Sequence, residues 1–244
     1  MTPALGEFRV CPDPRALAEA GAALVAEAIR QAPGRAVIGL AGGSTPRPLY
    51  ARLAEPPYRD GIDWRAADLV LGDERFVAPE DPDSNLGMIR AALLDRLDAK
   101  PSVHPVPFAG LTVGAAAAAY ARTLHALYGA ERLDPARPFF DLCLLGMGDD
   151  GHTASLLPGQ AALAEHARWV LPVTEGRPEP RVTLTYPVLE SARVVVVVVS
   201  GAGKRDMLSA VLSGREREVP VARLRPRGRL IWLADRDAAG MQED

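Results

Sequence analysis

Short stretches made almost wholly of apolar residues alternate with longer helical patterns, and this alternation constrains the fold more than any other feature of the chain. The apolar stretches are Val37–Ala41, Leu69–Leu71, Val103–Val106, Phe139–Leu145, Val194–Val199 and Leu230–Leu233. The helical patterns cover Arg15–Arg30, Pro46–Ala54, Leu86–Leu97, Val113–Tyr128 and Gly203–Leu212. Strands that are apolar on both faces need cover on both sides, so the pattern predicts an α/β fold with a parallel sheet flanked by helices on both faces.

Bulk properties exclude several classes of protein. A net charge of −3 gives no basis for binding nucleic acid or an anionic membrane. The longest apolar run, Val194–Val199, is far shorter than the roughly 20 residues of a membrane span, and Met1–Val10 lacks the apolar stretch of a signal peptide. The polar segment Thr174–Pro180 is interpreted as a loop, because another β/α unit follows it. We therefore expect a single domain over residues 1–244, cytoplasmic, as a monomer or weak homodimer.

Cysteine and histidine spacing gives no sign of a metal or a disulfide framework. Cys11 and Cys143 are too few for such a framework, and Cys143 lies in an apolar run, which predicts a buried free thiol. The other histidines show no ligand spacing with His152; they are His104, His125 and His166. We therefore expect no metal site and no disulfide framework.

Ligands of parallel α/β sheets bind beyond the carboxyl ends of the strands, so the residues after each apolar run are candidates. The first such segment contains two glycines and two hydroxyl residues: Gly42, Gly43, Ser44 and Thr45. Either hydroxyl is expected to cap the next helix, with Pro46 in its first turn. Exposed N–H groups and the positive helix end then favour a phosphate or carboxylate. Because neither a Walker loop nor G-x-G-x-x-G is present, a nucleotide is not implied.

Charged residues follow a second strand and open a later helix. Arg75 suits bidentate phosphate recognition and Asp73 could address a hydroxyl or a proton, although a solvated surface explains both equally well. Ser84-Asn85 is interpreted as a helix cap. Arg181 and Lys204 are further candidate phosphate ligands. Lys204 opens a helix, where a cation opposes the helix dipole unless an anion is bound there.

The segment Gly148–Ser155, G-D-D-G-H-T-A-S, is the most distinctive chemically. Histidine is the side chain whose ordinary pKa lies closest to neutral pH, so His152 is a candidate to take a proton from water, and Asp150 is placed to fix its tautomer and orientation. A surface turn rich in turn-forming residues is the alternative interpretation. No G-x-S-x-G pattern is present, so a serine nucleophile is not expected.

In order, these segments resemble the 6-phosphogluconolactonases. The matching blocks are A-G-G-S-T-P, G-D-E-R-F-V with D-S-N-L-G, D-L-C-L-L-G-M-G-D-D-G-H-T-A-S-L-L-P-G, R-V-T-L-T-Y-P and G-A-G-K. The resemblance implies a Rossmann-like architecture, shared with sugar-phosphate isomerases and deaminases. It also implies hydrolysis of 6-phospho-D-glucono-1,5-lactone to 6-phospho-D-gluconate in the oxidative pentose phosphate pathway, without metal or organic cofactor. The partner is then a small sugar phosphate.

Two alternatives stay open at this point. A glucosamine-6-phosphate deaminase shares the glycine–serine–threonine loop and D-G-H, but that family carries a glutamate where this chain has Leu157. A non-catalytic sugar-phosphate-binding module would normally be joined to a DNA-binding segment. The first thirty residues hold one helical pattern and no basic helix-turn-helix.

One residue departs from the family pattern. Members commonly carry proline just before D-G-H, and this chain has Asp149. A second carboxylate near His152 would favour the protonated imidazole, and the size of that effect depends on which way Asp149 points.

Overall fold

The computed structural model describes residues 6–241, which form ten strands and eight α-helices. The strands are β1 Glu7–Cys11, β2 Ala36–Leu40, β3 Ala67–Leu71, β4 Asp73–Arg75, β5 Ser102–His104, β6 Phe140–Gly146, β7 Val170–Val173, β8 Arg181–Leu184, β9 Ala192–Val199 and β10 Arg229–Asp235. The helices are α1 Pro14–Gln31, α2 Arg47–Leu53, α3 Tyr58–Gly61, α4 Asn85–Ala92, α5 Val113–Tyr128, α6 Tyr186–Leu189, α7 Arg205–Leu212 and α8 Arg236–Ala239.

Seven strands make one sheet in the order β1-β10-β9-β6-β2-β3-β5, and every adjacent pair is parallel. Alternate residues of each central strand enter opposite cores. In β9, Val195 and Val197 pack with α5 and α7 on one face, whereas Val196 and Val198 pack with α1 and α2 on the other. The predicted α/β fold, a Rossmann-like parallel sheet flanked by helices on both faces, is confirmed.

The order of the strands creates a crevice at one point of the sheet. From β2 the chain proceeds outward to β3 and β5, then returns to place β6 on the opposite side of β2. The loops after β2 and β6 therefore leave in different directions, and a crevice opens between them at the carboxyl edge of the sheet. Both glycine-rich segments singled out in the sequence begin there.

A second, antiparallel sheet in the order β4-β8-β7 was not predicted. Gly72 is where the chain passes from one sheet to the other: its N–H donates to the Leu40 carbonyl at 2.9 Å, and its own carbonyl accepts from Leu184 at 2.9 Å. The three strands are only three or four residues long, and β4 reads D-E-R without an apolar residue, so the sheet is not recognisable from the sequence. The parallel edge strand β1 was missed because it alternates polar and apolar residues.

Two expectations about helix ends were wrong. Ser44 and Thr45 do not cap α2: the N-cap position is Pro46, in α-region conformation and without a side-chain hydrogen bond, because the chain already turns through Ser44. The helix expected over Leu86–Leu97 ends as α4 at Ala92 and continues as a separate 3-10 turn. Within the described residues, no helix has the length and apolarity needed to cross a membrane.

Candidate active site

An open cleft of about 710 Å³, which includes solvent at its mouth, lies at this crevice. Nine of the ten site residues expected from the sequence line it: Gly42, Gly43, Ser44, Thr45, Asp73, Arg75, His152, Arg181 and Lys204. The tenth, Asp150, contacts the ring of His152. The structure therefore brings together segments that lie far apart in the chain.

The loop after β2 is shaped by a glycine and an asparagine. A Cβ added at Gly42 would lie 2.0 Å from Oδ1 of Asn85, so the side chain of Asn85 takes the space that any larger residue at 42 would need. Gly43 has a φ of +92°, a conformation that favours glycine. Because Ser44 and Thr45 do not cap the helix, their hydroxyls are available to a ligand.

Asn85 was interpreted from the sequence as part of a helix cap, and its role is wider. Ser84 is the cap of α4, its Oγ accepting from the Gly87 N–H at 3.0 Å, as predicted. Asn85 Nδ2 instead donates to the Asp73 carbonyl at 3.0 Å. Ser155 Oγ donates to Asp73 Oδ2 at 2.6 Å, so Asp73 is held in place at the buried floor of the cleft.

The neighbouring acid Glu74 points away from the cleft. Its carboxylate accepts from the backbone N–H groups of Asn85 at 2.7 Å and Leu86 at 2.8 Å, at the start of α4. Burial raises the pKa of Glu74, and these hydrogen bonds act in the opposite direction. Glu74 therefore stabilises the helix that carries Asn85.

The small sheet places two arginines side by side. Arg75 of β4 is paired in register with Arg181 of β8, and both line the cleft. Arg181 is buried, its Nε has no hydrogen-bond partner, and its nearest carboxylate, on Glu179, lies 3.8 Å away. Burial lowers the pKa of the Arg181 guanidinium, with the charge of Asp73 acting against that shift. A guanidinium group that lines the cleft with only this distant carboxylate as counter-charge suits an anionic ligand.

Asp150 and His152 form a hydrogen-bonded pair on the loop after β6. Nδ1 of His152 lies 2.6 Å from Oδ1 of Asp150, which also accepts from the His152 backbone N–H at 3.1 Å. The ring lies against Gly148, where an added Cβ would be 1.9 Å from Nδ1. Since a carboxylate can only accept, the short contact favours the tautomer with the proton on Nδ1 and leaves Nε2 as the basic nitrogen.

Arg177 also belongs to this group, and the sequence analysis missed it. Its Nη2 donates to Oδ2 of Asp150 at 2.7 Å and lies 3.0 Å from Nδ1 of His152, which cannot accept from it while Nδ1 carries the proton directed at Asp150. Burial acts to raise the pKa of Asp150, but hydrogen bonds from His152 and Arg177 outweigh it and hold that pKa well below its usual range. Asp150 is therefore ionised at neutral pH. Arg177 lies in a segment interpreted only as a polar loop, and no local pattern distinguishes it.

Asp149 points away from the His152 ring and towards Lys204. Its Oδ1 forms an ion pair with the Lys204 ammonium group, and the Asp149 side chain is 78% exposed. The possibility that this carboxylate acts directly on the imidazole is therefore not supported by its contacts. Lys204 itself lies in a 3-10 turn, Ala202–Lys204, immediately before α7, rather than inside that helix as expected.

Among residues 6–241, no group of three or more histidine, cysteine, aspartate or glutamate side chains is arranged to hold a metal ion. The cleft instead presents hydroxyls, cations and one histidine–carboxylate pair. These groups suit an anionic substrate and proton transfer.

The fold and these segments match one protein family. Residues 12–232 match the model of the glucosamine-6-phosphate isomerases/6-phosphogluconolactonase family, and the chain belongs to that family. Its relatives within the family include proteins that carry the narrower name of 6-phosphogluconolactonase.

Three of these similarities cover most of both chains. A 6-phosphogluconolactonase of Streptomyces coelicolor is 40% identical over 240 residues, covering 93% of this chain and 91% of the relative. One from Synechocystis is 39% identical over 208 residues, covering 84% of each. The solved structure of a 6-phosphogluconolactonase from Trypanosoma cruzi has a TM-score of 0.83 and 29% identity, covering 98% of this chain and 97% of that one.

Proposed function

We propose that this chain hydrolyses 6-phospho-D-glucono-1,5-lactone to 6-phospho-D-gluconate, with His152 as the general base. The observation that carries the proposal is the Asp150–His152 pair, which opens onto the same cleft as Arg181, a buried arginine whose only ion pair within residues 6–241 is the 3.8 Å contact with Glu179. One end of such a cleft can hold a phosphate while the other activates water. The names of the relatives, at about 40% identity over most of the chain, support the same reaction.

The phosphate is assigned to the cationic part of the cleft. The N–H groups and hydroxyls of the Gly42–Thr45 loop would contact its oxygens together with Arg75, Arg181 and Lys204. The guanidinium groups suit bidentate contacts with phosphate oxygens. Asp73, fixed by Ser155 and Asn85, is assigned to positioning the substrate through its hydroxyl groups.

The reaction needs one proton acceptor that later becomes a donor. His152 Nε2 takes a proton from water as the water oxygen bonds to the lactone carbonyl carbon, and Asp150 stabilises the imidazolium that forms. Nearby N–H groups or a cation of the cleft stabilise the tetrahedral oxyanion. When the bond between the carbonyl carbon and the ring oxygen breaks, His152 returns its proton to that oxygen. The single product carries both a free hydroxyl group and a carboxylic acid, and the acid ionises at neutral pH.

The deaminase alternative is disfavoured by Leu157. A deaminase of this family uses a glutamate at that place in its proton relay, and here the position holds a buried leucine, 3% exposed. A leucine side chain can neither bind nor transfer a proton. The sugar-phosphate-binding module is separated by assay, because it would bind 6-phosphogluconate without accelerating hydrolysis of the lactone.

Replacing the base tests the proposal directly. His152→Ala should lower kcat about 10²–10⁴-fold, the usual contribution of general acid–base catalysis. Binding of 6-phosphogluconate should stay within a few-fold of wild type, since the phosphate ligands are unchanged. The assay must subtract spontaneous lactone hydrolysis at each pH. Near-normal turnover by the variant would assign the base elsewhere, with Asp73 as the next candidate.

A further inference from the structure

The ion pair between Asp149 and Lys204 occupies one of the cations assigned to the phosphate. Lys204 lines the cleft and is 22% exposed, whereas its partner is 78% exposed and lies outside the set of cleft-lining residues. In the described part of the chain, the Lys204 ammonium group makes no other hydrogen bond or ion pair. The carboxylate therefore holds this ammonium group in the free enzyme.

The exposure of Asp149 decides what this pair can do. Exposed ion pairs are weak, because water solvates both groups well and salt screens their attraction. A phosphate dianion that also contacts Arg181, which is buried and lacks a partner at Nε, has more favourable contacts to gain than the exposed carboxylate has to lose. The phosphate can therefore displace Asp149 from Lys204.

We propose that Asp149 is an affinity-determining residue, an internal anion that competes with the substrate phosphate for Lys204. This inference rests on the proposed function for the identity of the ligand, a sugar phosphate. Each binding event must exchange one anion for another at Lys204, so the affinity for substrate and product is lower than the cations alone would give. Weaker product binding speeds release of 6-phosphogluconate from the cleft.

The test is binding of 6-phosphogluconate and of inorganic phosphate to Asp149→Asn, measured by calorimetry on the full chain. Asparagine keeps the size of the side chain and removes its charge. Both ligands should bind about two- to fivefold more tightly than to wild type, the range that an exposed ion pair supports. In about 1 M salt, where the screening length is about 3 Å, the difference should largely disappear.

Two further variants distinguish competition at Lys204 from a general effect of net charge. Asp60→Asn makes the same change in net charge and breaks another exposed ion pair, between Asp60 and Arg59, so it should bind both ligands as wild type does. In a Lys204→Met background, adding Asp149→Asn should change neither affinity. If the tightening persists without Lys204, Asp149 acts by general repulsion and the proposal is wrong.

Other outcomes also overturn the inference. Weaker binding to Asp149→Asn would mean that Asp149 positions Lys204 for the phosphate rather than competing with it. If Asp149→Asn bound 6-phosphogluconate more tightly but inorganic phosphate with unchanged affinity, the effect would be assigned to the product carboxylate. Because none of these measurements needs turnover, they are separate from the proposed reaction, which is tested by whether the wild-type chain hydrolyses the lactone.

Discussion

Adding one methyl group at Gly148 should remove most of the catalytic activity while leaving the fold and the phosphate ligands in place. A Cβ at this position would lie 1.9 Å from His152 Nδ1, 2.2 Å from Cε1 and 2.7 Å from Asp150 Oδ1. Ordinary contacts of a Cβ are about 3.4 Å or more, so the ring must move by roughly 1.5 Å. Misplacing a catalytic group by about 1 Å costs on the order of 10²-fold in rate.

We therefore expect Gly148→Ala to lower kcat about 10²-fold, with affinity for 6-phosphogluconate within threefold of wild type. Gly114→Ala is the matched control, because it adds the same methyl group in α5, outside the cleft, where no heavy atom of another segment lies within 4 Å. That variant should keep kcat within about threefold. Initial rates after subtraction of spontaneous hydrolysis measure both. Wild-type kcat in Gly148→Ala would refute the assignment of His152 as a base held against Gly148.

Two further predictions concern the groups behind His152. Arg177→Met should lower kcat about tenfold with little change in KM, because it removes a charged hydrogen bond to Asp150 rather than a substrate contact. Arg177→Lys should recover part of the loss. A change confined to KM would place Arg177 among the substrate ligands. Asp150→Asn should flatten the acid side of the stability profile, measured as Tm against pH. The pKa of Asp150 is lowered on folding, so its ionisation stabilises the wild-type fold above the unfolded pKa of about 3.9, and this stabilisation is lost as the pH falls towards the folded value. Parallel profiles for the two proteins would contradict the lowered pKa.

The central sheet could be predicted because burial on both faces imposes a composition that sequence displays directly. A strand such as β9 is six consecutive valines after Arg193, and these valines enter both cores, so this run has no polar position that a helix or a surface strand would carry. The loops after β2 and β6 followed from the same argument, since glycines and charges just beyond buried strands have few structural explanations. The Gly42–Thr45 loop and the Asp150–His152 pair were both found in this way.

What could not be predicted depends on contacts between distant segments. Arg75 and Arg181 become neighbours through the register of β4 and β8, which are three and four residues long, too short for a strand pattern to be recognised. Arg177 is recognisable only by its distance to Asp150, across 27 positions of the chain. The direction of Asp149 is likewise fixed by the turn that presents Lys204. Local sequence patterns do not predict such contacts between distant residues.

Because the cleft lies between β2 and β6, activity requires that the central sheet has formed completely. These strands are separated by about a hundred residues. During synthesis the Gly42–Thr45 loop therefore emerges long before His152, which lines the same cleft. No fragment ending before β6 can contain both halves of the site, and a ligand that bridges them binds only chains whose central strands have paired. Such a ligand stabilises the native state by mass action, so 6-phosphogluconate should raise the Tm of the whole protein.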